Sequence, residues 1–248
     1  MAVDYAAWQA SWDAQQTVFM PDREERFAAM LDAVEAVTAG RPPRVLDLAG
    51  GTGSISLRLL VRRPDARTVV LDADRSLLTL ARGSLDERAE VVAANLGTPR
   101  WREQLPHEGF DAVLTATALH WIAPDRLRAL YGEIRAVLRD GGVFINADHM
   151  KDDGLPTLNA ALDRLEKQRQ EAAYAGGAET WPGWWERFGA EPAVADLVRE
   201  RNELFGGDHA ESHLPPVSWH LNALQAAGFA ETGLIWRGHL DAAFAALR

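Results

Sequence analysis

The sequence predicts an α/β fold, a doubly wound parallel sheet with helices on both faces, and three observations predict it. Short apolar runs alternate with helical stretches from Arg44 to about Ile145. The first of those runs leads directly into a glycine-rich loop that opens a helix, Val45-Leu46-Asp47-Leu48-Ala49-Gly50-Gly51-Thr52-Gly53-Ser54. Turn chemistry such as Asp140-Gly141-Gly142 separates helix from strand.

The elements follow in order. Tyr5, Trp8, Trp12 and Phe19 recur near one face at helical spacing, and Phe27, Met30, Leu31, Val34 and Val37 do the same, so two helices come first. Gly40, Pro42 and Pro43 stop the second. Strands are expected at 45–48, 68–71, 91–93, 112–114 and 143–145, with helices at 54–61, 76–82 and 125–138. Residues 150–216 break the rhythm with an amphipathic helix near 158–174 and the aromatic cluster Trp181, Trp184, Trp185 and Phe188, which reads as an inserted helical cap. A helix near 217–227, a turn at Gly228 and a strand near 232–236 restore it. The expected organisation is lid helices over 1–40, an α/β core over 41–149, a substrate cap over 150–216 and a return to the sheet over 217–248.

A chain of 248 residues, 47% hydrophobic and 25% charged, has ample material for a core and no sign of disorder. Its net charge of −10 argues against nucleic acid as partner, because such binding neutralises phosphates with Lys and Arg. The absence of cysteine excludes disulfides, thiolate zinc sites, cysteine-held iron–sulfur clusters and cysteine nucleophiles. The first ten residues carry Asp4, Tyr5 and Trp8 in place of a basic start and apolar run, and no stretch approaches ~18 uninterrupted apolar residues. The expectation is a soluble, cytoplasmic protein that does not engage membranes.

The glycine loop is the most informative segment. Glycines there permit positive φ and let the backbone approach a nucleoside closely at the carboxyl edge of the sheet. A dinucleotide site asks for G-x-G-x-x-G. Here Gly51-Thr52-Gly53-Ser54-Ile55-Ser56 puts Ser56 in the third position, and Asp47 beside the loop would repel a pyrophosphate but suit a cationic amino acid headgroup.

Asp-Leu-Ala-Gly-Gly-Thr-Gly resembles the first motif of class I S-adenosylmethionine-dependent methyltransferases, usually D/E-x-G-x-G-x-G. The resemblance extends in order and spacing over most of 44–148, and it implies a seven-stranded, mostly parallel Rossmann-like sheet binding S-adenosylmethionine. It implies that Asp47, Ala49, Gly50, Gly51 and Gly53 hold the amino acid end. Ala49 departs from the first glycine, so the backbone there is expected to manage without positive φ, or the amino acid end sits differently. Asp72, closing 68–72 with Ala73 after it, takes the ribose hydroxyls, while Asp74 reads as a helix cap. Asn95, with Leu96, stands where an Asp commonly meets the adenine amino group. An amide oxygen can accept the same hydrogen bond, and a turn-forming Asn is the other reading. Backbone around Thr115 to Thr117 lines the methionine end, and Trp12 with Tyr5 closes over the cofactor. The resemblance also implies a final antiparallel strand at 240–247, where alanine-rich composition favours helix.

Methyl transfer needs no metal in principle; it needs an acceptor in line with the methyl–sulfur bond, water excluded, and sometimes a base. His120 follows the fourth strand and His149 the fifth, which brings both to the carboxyl edge. His149 is the preferred base, and His120 also reads as a packing residue beside Trp121. His209 and His213 have an i, i+4 spacing that a metal would need, but Gly206-Gly207 and Pro215-Pro216 around them favour a solvated loop, so no metal is expected. Six of the nine tryptophans, Trp8, Trp12, Trp181, Trp184, Trp185 and Trp219, lie outside the sheet, as glue for helices or as walls of an apolar substrate chamber. The expected activity is methyl transfer to an O, N or C nucleophile of a small molecule, in the manner of secondary metabolism. A nicotinamide-dependent oxidoreductase, or a cofactor-binding homologue that transfers no methyl, are the alternatives.

Overall fold

The computed structural model describes residues 3–206 and 212–248. Two helices, α1 (Tyr5–Phe19) and α2 (Arg23–Thr38), precede the sheet. Next come β1 (Arg44–Leu48), α3 (Ser54–Arg62), β2 (Arg67–Asp72), α4 (Arg75–Ser84), β3 (Ala89–Ala93), β4 (Phe110–Ala116), α5 (Pro124–Val137) and β5 (Leu138–His149). Short 3-10 turns occupy Pro99–Gln104 and Leu119–Trp121. Helices α6 (Pro156–Ala175), α7 (Trp181–Gly189) and α8 (Ala195–Phe205) intervene before α9 (Val217–Ala226), β6 (Glu231–Arg237) and β7 (Asp241–Leu247).

Among the described residues the seven strands form one sheet in the order β3-β2-β1-β4-β5-β7-β6. The five N-terminal strands are parallel, and β7 runs antiparallel to both β5 and β6. The chain order reverses between β1 and β4, and an open α/β sheet offers its ligand crevice at that point, beyond the strands' carboxyl ends. Side chains of neighbouring strand residues fall alternately into two cores. Leu46, Leu48, Val113 and Phe144 pack with α5 and α9, whereas Val45, Leu114 and Ile145 pack with α2 and α3.

Two boundaries differ from the sequence reading. The fifth strand does not begin at Val143 but follows Val137 directly, and Asp140-Gly141-Gly142 lies inside it as an irregularity rather than a separating turn. Gly141 has φ +70°, and a Cβ on Gly142 would lie 2.9 Å from the Arg139 carbonyl oxygen, so the turn chemistry serves a bulge. At the end, 241–247 is strand. Ala242, Phe244 and Ala246 enter one core and Ala243 and Ala245 the other. Burial on both faces of a sheet outweighs the helix propensity of alanine.

A third cluster joins the outer helices to the body. Trp12 of α1 meets Trp184 at 4.9 Å and Trp181 at 5.5 Å between ring centroids, and Trp8 meets Phe188 at 4.9 Å. These contacts seat α7 on α1. Tyr5 packs α1 onto α4, where a Cβ on Gly83 would fall 2.1 Å from its ring.

Candidate cofactor and acceptor site

One cavity of about 890 Å³ opens at the carboxyl edge over β1, β2 and β4, roofed by α1, α7 and α8. That is near the top of the usual range for a ligand site, with room for a cofactor and an acceptor together.

Ala49 takes φ +52°, Gly51 +54° and Gly53 +77°. The expectation that Ala49 avoids positive φ is therefore corrected. The loop closes through Gly50 N–H to the Leu71 carbonyl at 3.1 Å and Gly53 N–H to the Gly50 carbonyl at 2.8 Å, and this turn imposes the left-handed geometry on whichever residue stands there. Ala49, Gly50 and Gly51 line the cavity. Gly53 does not; it caps α3, where a Cβ would strike Leu85 at 2.8 Å.

Asp47 is fully buried. Its Oδ2 accepts from the Ser56 N–H at 3.1 Å and the Ser56 hydroxyl at 2.8 Å, while Oδ1 has no partner. The residue that breaks the dinucleotide pattern thus orients this acid. Burial pushes the carboxyl up to about 6 despite those bonds. An unpartnered buried carboxylate oxygen on the cavity wall is what an ammonium headgroup needs, and a Cβ on Gly50 would come within 2.7 Å of it.

Asp72 closes β2 with Oδ2 accepting from Gly51 N–H and Oδ1 from Asp74 N–H, both at 2.8 Å. Each carboxylate oxygen keeps capacity for a further donor, so ribose hydroxyls fit. Burial raises it too, to about 6. Asp74 caps α4 as expected, accepting from the Ser76 and Leu77 N–H groups. Ala73 lines the cavity beside it. Asn95 and Leu96 line the far end, and Asn95 Oδ1 already accepts from Gly97 N–H at 2.7 Å, so the turn-forming role is present alongside any adenine contact.

Thr115 is buried behind the wall, and the lining there is Ala116, Thr117 and Ala118. Thr117 has φ +50°, rare for a β-branched residue, a strain of the kind stored at ligand sites. Trp12 lines the roof; Tyr5 packs on α4 instead of reaching the cavity.

Both candidate bases line the same cavity, and each is held by an aspartate. His120 Nδ1 lies 2.7 Å from Asp148 Oδ1, and His149 Nδ1 lies 2.7 Å from Asp241 Oδ1; their ring centroids are 5.4 Å apart. Engaging Nδ1 leaves Nε2 of each ring for an acceptor. Burial lowers the His149 pKa, but the hydrogen bond and charge of Asp241 outweigh it, and the net shift is upward. Asp241 in turn pairs with the buried Arg26 of α2. Sequence reasoning missed both aspartates. Asp148 adjoins His149 in the chain and was available as a signal, whereas Asp241 is 92 residues away and meets His149 only through β5–β7 pairing. It also missed Arg23 and Arg201, which line the wall and pair with Asp13 and Asp74.

His209 lies outside the described residues, so the His209–His213 pairing is not placed; the His213 N–H donates to the His120 carbonyl at 2.7 Å. Among the described residues no group of three or more His, Asp or Glu is arranged to hold a metal ion.

A parallel sheet reversing beside a glycine loop, with an acid near the carboxyl end of each of two adjacent strands, fits a nucleoside cofactor with a cationic tail. Residues 45–142 match the methyltransferase domain family. The malonyl-[acyl-carrier protein] O-methyltransferase of Geobacter sulfurreducens is 29% identical over 232 residues, 92% of this chain and 77% of that one. The trans-aconitate 2-methyltransferase of Azoarcus is 31% identical over 134 residues, 54% of this chain and 49% of that one. Human N-acetylserotonin methyltransferase, solved in complex with S-adenosylmethionine, shares the fold at TM-score 0.59 and 15% identity, over 98% of this chain and 58% of that one. The match spans about half the length of each of the last two. Residues 45–142 thus form a methyltransferase domain of the S-adenosylmethionine-dependent kind, and S-adenosylmethionine is its cofactor.

Proposed function

We propose that this methyltransferase acts on a small molecule, with His149 as the base that takes the acceptor's proton and His120 beside it. The observation that carries this reading is the pair of aspartate-held histidines in the same cavity as the cofactor loop. When bound, S-adenosylmethionine supplies an electrophilic methyl on a sulfonium. Asp47 would hold its ammonium, Asp72 its ribose, and Asn95 with Leu96 its adenine, while Trp12 and the helices α7 and α8 exclude water. A small acceptor suits a cavity with aromatic walls in an acidic protein, and one relative named above carries a small acceptor, trans-aconitate, in its name. The cysteine-free, acidic chain fits a cytoplasmic setting, and no helix among the described residues is long and apolar enough to cross a membrane.

The test is titration with S-adenosylhomocysteine, followed by incubation with methyl-labelled cofactor and a metabolite extract. Binding with label transferred to a small-molecule fraction supports the proposal. Binding with no label transferred to any acceptor would leave a cofactor-binding homologue.

A further inference from the structure

Beyond the cofactor loop the cavity continues into a chamber with walls from Phe19, Phe27, Trp181, Trp121 and Phe205, the last two 43% and 37% exposed at its mouth. We infer that the acceptor is a planar aromatic compound with a weakly acidic O–H, docked as the neutral hydroxyl and deprotonated by His149. This rests on the methyl-transfer reading above.

Shape gives the first reason. Flat rings offer faces and edges to aromatic walls at little entropic cost.

Charge gives the second. The arginines among the described wall residues are Arg23, Arg126 and Arg201. Arg23 pairs with Asp13 at 2.6 Å, Arg201 with Asp74 at 2.8 Å, and Arg126 grips both oxygens of Glu133 at 2.7 Å. Each already faces an acid, so none brings an uncompensated positive charge to a carboxylate. Around His149 stand Asp241 from β7, Asp148 from β5 and Glu166 from α6, facing Arg26 from α2, with His120 on its turn and His239 before β7. Asp163 of α6 is also near and pairs with Lys151. The surroundings are net acidic. A carboxylate acceptor arrives ionised, needs no base, and would be buried here without a fixed counter-charge. An alkylammonium would be repelled by the sulfonium and must lose a proton before it can attack. A neutral aromatic hydroxyl meets neither obstacle.

The step balances. The O–H proton passes to His149 Nε2, the oxygen lone pair forms the C–O bond, and the methyl C–S bond breaks with its electron pair going to sulfur. Imidazolium and product ether leave no unpaired charge beyond those already matched by Asp241 and Asp148.

The experiment first titrates the protein with S-adenosylhomocysteine and then compares 2-hydroxyanthraquinone with anthraquinone-2-carboxylate on the loaded protein. The hydroxyl probe changes colour on ionisation. The expected result is binding of the hydroxyl probe with its ionised spectrum at a pH below its solution pKa, and binding of the carboxylate at least ~10-fold weaker, about 1.4 kcal/mol. His149→Gln is expected to abolish the ionised spectrum while S-adenosylhomocysteine still binds. Equal or tighter carboxylate binding, a hydroxyl probe that stays neutral or fails to bind, or an ionised spectrum retained in His149→Gln overturns the inference and leaves methyl transfer standing. Failure to bind S-adenosylhomocysteine removes the methyl-transfer reading itself, and this inference with it.

Discussion

Asp72 Oδ2 accepts a hydrogen bond from the Gly51 N–H at 2.8 Å, so the acid that ends β2 holds down the loop that leaves β1. One side chain therefore shapes the cradle and, in the proposed site, presents an acceptor to the ribose. Asp72→Ala loses both. Its affinity for S-adenosylhomocysteine is expected to fall by about 1.5–3 kcal/mol, the range for a hydrogen bond to a charged group. Isothermal calorimetry checks this, and equal binding by both proteins would refute the role of Asp72.

Asp47 and Asp72 both sit at about 6, above the ordinary 3.8, because burial disfavours their charge. The folded chain thus binds these protons more tightly than the unfolded chain. Between pH 3.8 and about 6 their contribution to stability falls as pH rises, and above that window it is constant. Ligand binding runs the opposite way, since an ammonium headgroup favours the ionised Asp47. Affinity for S-adenosylhomocysteine should climb from pH 5 to about 7 and then level off. Titrations in buffers of different ionisation heat should show proton release at pH 6, and Asp47→Asn should reduce it. A flat affinity profile would remove Asp47 from the headgroup site.

Two loop positions respond in opposite directions to a single methyl group. Ala49 is held at φ +52°, a conformation that costs an L-residue about 1–2 kcal/mol, while glycine costs about 0.5–1 kcal/mol in chain entropy. Ala49→Gly should raise the melting temperature modestly and leave binding intact. Gly50→Ala should do the reverse, because its Cβ would lie 2.7 Å from Asp47 Cγ and Oδ1 and displace the carboxylate. Thermal melts with and without S-adenosylhomocysteine separate the two effects. A melting temperature unchanged in Ala49→Gly would show that the loop is not strained.

Local patterns carry the proposed cofactor half of the site. Strand, glycine loop and terminal acid are contiguous in the chain at 45–54 and at 68–72, so Asp47 and Asp72 could be found by reading along it. Backbone geometry was less legible: the sequence shows Ala49 without showing that loop closure forces its φ positive. The 240–247 segment was ambiguous for a related reason, since alanine is a good helix former until a sheet buries it on both faces. The acceptor half is held by long-range pairs, Asp241 with His149 and Arg201 with Asp74, and no local spacing encodes them.

The Asp241–His149 pair predicts a shift in the pH dependence of turnover. In the wild type the Asp241 hydrogen bond and charge hold the His149 pKa above its ordinary 6.5 against the pull of burial. The base form of His149 therefore appears only as pH rises through that elevated value. In Asp241→Asn the counter-charge is gone, burial remains, and the Arg26 charge lowers the ring further. The acidic limb of kcat against pH should move to lower pH, while maximal kcat falls because the ring is less basic and no longer oriented. KM for S-adenosylmethionine should stay near its wild-type value, since Asp241 does not line the cavity. Breaking the buried pair also strands Arg26, a loss of about 3–5 kcal/mol, so Arg26→Met in the same chain serves to recover folding. A limb that stays in place in the folded double variant would transfer the base role from His149 to His120 and its Asp148.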